Sequence, residues 1–205
     1  MNYIEKLIKE KCPNGVEFKP LGEVGKISMC KRILKSETNP KIGIPFYKIG
    51  TFGGEADAFI SEEKFIEYKN KYSYPNKGDI LISASGTIGK AVIFNGDPSY
   101  YQDSNIVWLA HNGNEVLNKY LYYFYSTNPW KIEQDGTIQR LYNRIIEQTK
   151  IPIPPMEIQN EIVKILDAFT KLEAELKARR RQYEFYRNSL LDFGSPKSPG
   201  GGGRV

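Results

Sequence analysis

From Ile158 to Phe193 apolar side chains recur in alternating steps of four and three residues: Ile158, Ile162, Ile165, Phe169, Leu172, Leu176, Tyr183, Tyr186, Leu190 and Phe193. Arg179 is the one polar residue in the series. Such spacing keeps a single stripe on a helix over five heptads, the pattern of a helix that packs along its whole length against another helix. Pro154 and Pro155 stand where a first turn tolerates proline, Glu157 and Glu161 follow near the positive end of the dipole, and Gly194 closes the run. At the rise of an α-helix the stripe is roughly 50 Å long, more than the diameter of a small domain. It is therefore expected to project beyond its own globule and to pair with a second copy of itself. Arg179 would weaken that seam while helping to set its register.

The remaining length allows one domain. With 205 residues, 40% of them hydrophobic, the chain can bury one good core and little else. The expected organisation is α+β: a globular mixed α/β domain over residues 1–153, a long coiled-coil helix over 154–193, and a disordered Ser/Pro/Gly tail over 194–205. Two cysteines, Cys12 and Cys30, make no disulfide framework, and the single histidine, His111, excludes a zinc cluster of the usual spacing. The N-terminal segment lacks an apolar secretory core and no apolar run is long enough to span a bilayer. A cytoplasmic protein without membrane association is expected.

Net charge is +5, yet the helix from Glu157 to Asp192 is neutral, with seven acidic and seven basic side chains. The basic residues that matter lie between Val24 and Gly50, where Lys26, Lys31, Arg32, Lys35, Lys41 and Lys48 face only Glu37. That cluster fits either a solvated face or a nucleic-acid contact.

In chain order, Tyr3, Ile4, Leu7 and Ile8 predict a short amphipathic helix ended by Cys12-Pro13-Asn14-Gly15, and Val16 to Val24 reads as a first strand. Ile44 to Ile49 predicts a strand, Ser61 to Tyr68 a helix, and Ile80-Leu81-Ile82-Ser83 with Ala91-Val92-Ile93-Phe94 a hairpin of buried strands around a glycine-bounded tip. Tyr101 to Leu109 reads as one strand, polar at its start and apolar at its end, and Asn118 to Ser126 as a tyrosine-rich helix. Gly136 to Arg144 is a polar segment in which aromatic, amide and guanidinium groups alternate. Lys150 to Pro155 is an extended strap into the long helix.

Catalytic patterns fail one by one. Gly86-Thr87-Ile88-Gly89-Lys90-Ala91 lacks the glycine and the Ser or Thr that a phosphate-binding loop needs at Ala84 and Ala91. Asn128-Pro129-Trp130 lacks the second proline of an amino-methyltransferase motif, and no cofactor fingerprint accompanies it. His111 precedes Asn112-Gly113-Asn114 and reads as a turn residue rather than a general base. Asp97 and Asp103 could pair around a metal, but no nuclease lysine pattern joins them. The chain is expected to be non-catalytic, with no metal and no cofactor of its own.

Several segments together resemble the specificity subunits of type I restriction-modification enzymes. They are Asn14-Gly15-Val16-Glu17-Phe18 with Leu21-Gly22-Glu23-Val24, Gly78-Asp79-Ile80-Leu81-Ile82-Ser83 with Gly86-Thr87-Ile88-Gly89-Lys90, Gln102-Asp103-Ser104-Asn105, Gly136-Thr137 with Gln139-Arg140, and Ile151-Pro152-Ile153-Pro154-Pro155-Met156-Glu157-Ile158-Gln159. The resemblance implies a target-recognition domain that reads a short half-site in double-stranded DNA, and a helix that docks on a DNA methyltransferase subunit. S-adenosylmethionine would be bound by that partner, and cleavage would fall to a restriction (nuclease/translocase) subunit where one is present. Members of the family carry two recognition domains and two long helices, whereas this chain has one of each. It is then either a half-sized subunit that homodimerises or part of a longer one, and the unpartnered seam favours the first. A helical adaptor that binds protein without DNA specificity is the competing reading.

Because such domains diverge where they touch DNA, the contact residues follow from side-chain chemistry. Lys31, Arg32 and Lys35 suit phosphates. Gln102, Asn105, Gln139, Arg140, Asn143 and Arg144 suit base edges, since amides pair with adenine and guanidinium with guanine. Ser85, Thr87 and Lys90 at the hairpin tip would hold the backbone, and Tyr142 would stack or pack. Two copies paired antiparallel would read an inverted bipartite site.

Overall fold

The computed structural model describes residues 3–131 and 139–193, and it divides into two compact units that meet in sequence between Val163 and Lys164. Gly136, Thr137 and the tail expected over 194–205 lie outside the described residues.

The first unit begins with helix α1 (Tyr3–Lys11), strand β1 (Glu17–Pro20), the one-turn helix α2 (Leu21–Val24) and strand β2 (Lys26–Ser28). The expected strand over Val16 to Val24 thus stops at Pro20, where buried Leu21 turns the chain into α2. Strands β3 (Ile44–Tyr47) and β4 (Phe59–Ile60) precede helix α3 (Glu62–Lys71). Ser61 caps α3 by accepting from the Lys64 N–H, while Glu62 and Glu63 in its first turn and Lys69 and Lys71 in its last complement the dipole.

Strands β5 (Ile80–Ser83) and β6 (Ala91–Ile93) form the expected antiparallel hairpin. The single strand expected from Tyr101 to Leu109 is instead two, β7 (Tyr100–Tyr101) and β8 (Ile106–Ala110). Between them Ser104 takes a left-handed conformation, φ 60°, that a continuous strand cannot contain. Helix α4 (Asn118–Ser126) follows as expected. The polar segment ends in a helix that its composition concealed, α5 (Asn143–Gln148). The strap at Lys150–Ile153 is a true strand, β9, paired antiparallel with β1 in the register Phe18 to Pro152 and Lys19 to Ile151. Pro20 and Pro152 sit in this two-stranded ribbon, where a missing N–H is tolerated.

A four-stranded antiparallel sheet ordered β2-β8-β5-β6 organises the unit. Its central strands β5 and β8 bury both faces, so adjacent residues serve different cores. Ile80, Ile82, Val107 and Leu109 pack with Leu21, Leu121, Tyr125, Leu141, Ile146 and Ile151. Leu81, Ile106 and Trp108 pack instead with Phe46, Phe65, Tyr100 and Tyr101. The second core is closed by a three-stranded sheet ordered β4-β3-β7, in which β3 and β7 run parallel. Burial on both faces explains why β5 and β8 read as continuous apolar runs.

Helix α6 runs from Met156 to Leu191. Its start is fixed by Pro155, whose carbonyl accepts from the N–H groups of Ile158 and Gln159. Ile158 is fully buried, and Ile162 and Val163 pack against the first core. Those first turns are therefore used by the first unit itself, which extends through Val163. Gln159, also fully buried, accepts from Leu117 N–H at 3.0 Å and donates to the carbonyls of Glu115 at 2.7 Å and Pro154 at 2.9 Å. This amide fastens the first turn of α6 to the segment that enters α4.

In the second unit Phe169, Leu172, Leu176, Tyr183, Tyr186, Leu190 and Phe193 are all more than half exposed, and Arg179 is exposed among them. Ile165 is half-buried. Phe185 and Leu191, which lie off the stripe, are exposed as well.

Candidate nucleic-acid interface

The turn Gln102–Asn105 joins β7 to β8 and so crosses from the small sheet to the large one. Four other segments are tied to it. Gln102 donates its N–H to Tyr47 O at 2.9 Å, and its side-chain carbonyl accepts from Ile49 N–H at 3.0 Å. Asp103 accepts from the Arg32 Nε–H at 3.0 Å. The Ser104 carbonyl accepts from the Arg140 guanidinium at 2.5 Å. Asn105 accepts from the Ser85 hydroxyl at 2.9 Å, and its carbonyl takes the Ala84 N–H at 2.7 Å. The Ala84 carbonyl in turn takes the Leu141 N–H at 2.8 Å. Buried Leu141 thereby anchors the polar segment beside the turn and brings Arg140 to it.

Around this turn opens a cleft of about 660 Å³ lined by Arg32, Lys35, Thr38, Asn39, Lys48, Asp57, Gln102, Asp103, Ser104, Asn105 and Arg140, with Phe46 and Ile33 in its wall. Five of the residues expected to touch DNA thus converge: Arg32, Lys35, Gln102, Asn105 and Arg140. Ser85 reaches the same place through Asn105. Tyr142 and Arg144 line a different hollow, of about 780 Å³, with Lys131, Gln148, Thr149 and Lys150. Gln139 and Asn143 are exposed and line neither.

Two lysines expected to meet the DNA backbone do not line this cleft. Lys90 donates its ammonium to the Phe52 carbonyl at 2.5 Å and lies 6.0 Å from that ring's centroid, so its charge secures the hairpin tip to the loop after β3. Lys31 lies over the Tyr72 ring, 5.2 Å from its centroid, rather than in the cleft. Thr87 is exposed, and its backbone carbonyl takes the Ser83 hydroxyl. The tip is built from within: Gly86 and Gly89 have φ of 64° and 77°, and a Cβ on Gly89 would stand 2.5 Å from Trp130 Nε1. Trp130 itself is buried against Tyr125, ring centroids 5.1 Å apart, which accounts for the Asn128-Pro129-Trp130 sequence as core packing.

The cleft also contains residues that sequence reasoning did not select. Lys48, at the end of the basic run, pairs with Asp57 at 2.9 Å. Asn39 organises its own loop by accepting from the N–H groups of Lys41 and Ile42. Asp103, considered only as a metal ligand, is an ion-pair partner with its side chain 15% exposed, while Asp97 is held by Asn95. Among the described residues no group of three or more His, Cys, Asp and Glu is placed to hold a metal ion. His111 Nδ1 accepts from Gly113 N–H at 3.1 Å, which puts its proton on Nε2, facing Asn118 Oδ1 at 2.6 Å. The histidine is a turn residue. The Cys30 thiol is buried and pushed up to about 12 by desolvation, so it is no nucleophile near neutrality.

A mixed α/β domain joined to a long helix is the architecture of type I restriction-modification S subunits. A chain from a structure of complex assembly and conformational transition in a type I R-M system superimposes with a TM-score of 0.64 over 91% of this chain and 49% of its own, at 22% identity. The crystal structure of the HsdS subunit from Thermoanaerobacter tengcongensis gives 0.61 over 86% and 44%, at 21% identity. Residues 13–183 match the family of the type I restriction modification DNA specificity domain, and the chain belongs to it. It is 56% identical over 181 residues to a protein of Haemophilus influenzae assigned as a type I restriction enzyme specificity subunit, covering 84% of this chain and 47% of the relative. It is 32% identical over 212 residues to the EcoR124I/EcoR124II specificity subunit of Escherichia coli, covering 94% and 48%. The chain spans about half the length of these relatives. Among the described residues no helix is long and apolar enough to cross a membrane.

Proposed function

We propose that this chain is a non-catalytic, cytoplasmic specificity component that reads a DNA half-site through the cleft at Gln102–Asn105 and docks on a DNA methyltransferase subunit, with a restriction subunit joining where one exists. Methyl transfer from S-adenosylmethionine then belongs to the methyltransferase. The observation that carries the reading is the convergence of Arg32, Lys35, Arg140, Gln102 and Asn105 on one cleft, in a chain of the specificity family.

The chemistry of the cleft sorts these residues. Lys35 has no ion-pair partner among the described residues, so its ammonium is free to meet a phosphate. Arg140 spends one donor on Ser104 O and keeps the rest of its planar fork for a guanine edge. Gln102 and Asn105 each use their carbonyl oxygen within the protein, which leaves the NH2 group as the donor toward a base. Arg144 and Tyr142, with Lys131 and Lys150, form a basic wall suited to the DNA backbone.

For the exposed stripe from Phe169 to Phe193 we propose a second copy as the partner, antiparallel, which gives an inverted pair of half-sites. Light scattering tests it: the wild-type chain should be a dimer and the Leu172→Glu, Leu176→Glu variant a monomer. A wild-type monomer contradicts the pairing. The recognition claim is tested by sequencing methylated DNA from cells that express the chain with its methyltransferase subunit. Arg140→Ala should relax one position in each half-site; an unchanged motif at unchanged efficiency removes Arg140 from the interface.

A further inference from the structure

We propose that Arg32 reads a base, a guanine in the major groove, and that Asp103 is its positioning residue. The inference rests on the cleft being the DNA-reading surface.

Arg32 stands in the basic run and on composition belongs with the phosphate contacts. Its surroundings assign it differently. Only its Nε is engaged among the described residues, by Asp103 Oδ2 at 3.0 Å. The arginine side chain is 67% exposed while the carboxylate that holds it is 15% exposed. A guanidinium pinned by its Nε keeps the opposite Nη1/Nη2 edge free, and that edge carries the two parallel donors that match guanine O6 and N7. Fixing the plane in advance removes much of the rotamer freedom that a long side chain would otherwise lose on binding.

Charge points the same way. Beside Asp103 the guanidinium is neutralised, so a phosphate approaching it meets a carboxylate as well, and the pair releases no counterion of its own. Directional hydrogen bonding survives neutralisation; attraction for a polyanion does not. Lys35 in the same cleft has no such partner among the described residues and retains the electrostatic role. The support of the two arginines is also shared. Asp103 holds Arg32, and the next residue, Ser104, holds Arg140, so one turn orients both forks toward a single half-site.

The test is selection of bound sequences from a randomised duplex pool by the full-length chain, followed by the salt dependence of its affinity for the selected duplex. Arg32→Lys keeps the charge and loses the fork. It should lose about tenfold to hundredfold discrimination at one guanine while leaving the slope of log affinity against log salt unchanged. Asp103→Ala should relax that same position. Asp103→Asn, which keeps an acceptor for Nε but unmasks the cation, should retain much of the preference and steepen the slope by about 0.9. A wild-type motif in Arg32→Lys, or a shallower slope in Arg32→Ala with no change of motif, would make Arg32 a phosphate contact and overturn the proposal. Failure of the wild-type chain to enrich any motif would instead overturn the reading of the cleft itself, and this inference with it.

Discussion

At the scale of single residues, stability and recognition rest on groups whose partners are far away in sequence. Gln159 replaces backbone hydrogen bonding for three separate groups inside a dry environment, which makes its side chain irreplaceable by an apolar one. Gln159→Ala strands the Leu117 N–H and the Glu115 carbonyl, at roughly 1–3 kcal/mol for each buried group left unpaired. Urea unfolding should show a lower midpoint of that order with an unchanged slope. Titration gives a second prediction. Desolvation raises the Cys30 thiol and the Tyr74 and Tyr120 hydroxyls each to about 12, and raises Tyr100, Tyr101 and Tyr125 further. Below their ordinary values the folded and unfolded chains hold the same protons, and these groups leave stability unchanged. As the pH climbs past about 9 the unfolded thiol and phenols ionise first, so stability should fall steadily through the alkaline range up to about 12. Denaturant midpoints measured from neutral to alkaline pH check this, and a flat profile would contradict it.

At the scale of elements, the turn Gln102–Asn105 carries the most consequence per residue. Ser104 holds φ 60° without being glycine. Ser104→Val, which adds a β-branch to that conformation, should cost about 1–2 kcal/mol, and Ser104→Gly should be tolerated, as thermal melts would report. This turn also marks the limit of what was legible. Periodicity revealed α1, α3, α4, the β5–β6 hairpin and the extent of α6, because each repeats its apolar residues at one period. It joined β7 and β8 because nothing in Gln102-Asp103-Ser104-Asn105 is a glycine or proline. It missed α5, whose buried face is little more than Ile146, and β4, which is two residues long. The cleft was half visible for a similar reason. Residue chemistry picked out Arg32, Lys35, Gln102, Asn105 and Arg140 of its lining, and it set Lys90 beside them, since a lysine at a loop tip looks free until the Phe52 carbonyl comes within 2.5 Å of it. Asp103 was passed over because an acidic residue in a basic cleft makes sense only once its cation is known.

At the scale of the whole molecule, the sequence period of α6 hides a division of labour. Its first turns complete the core of the recognition domain, and the exposed stripe begins after the boundary at Val163. A chain cut after Val163 should therefore remain folded, with an unfolding transition near that of the parent. A chain cut at Pro154 loses Ile158 and Gln159, and burial of a side chain such as Ile158 is worth about 2–5 kcal/mol, a large part of the stability of a small domain. It should be molten or unfolded by circular dichroism and proteolysis. Persistence of both fragments alike would show that α6 contributes nothing to the domain.

The central claim is that the cleft recognises DNA by sequence. The most direct measurement is the affinity of the full-length chain for a duplex bearing its methylation motif and for a scrambled duplex of equal length, each followed across a range of salt. Specific binding through the cleft predicts that affinity for both falls linearly in log–log form as phosphate contacts are screened, while the motif duplex stays tighter at every salt concentration. Equal affinities for the two duplexes, or retention that does not respond to salt, would contradict it and make the chain an adaptor that binds protein.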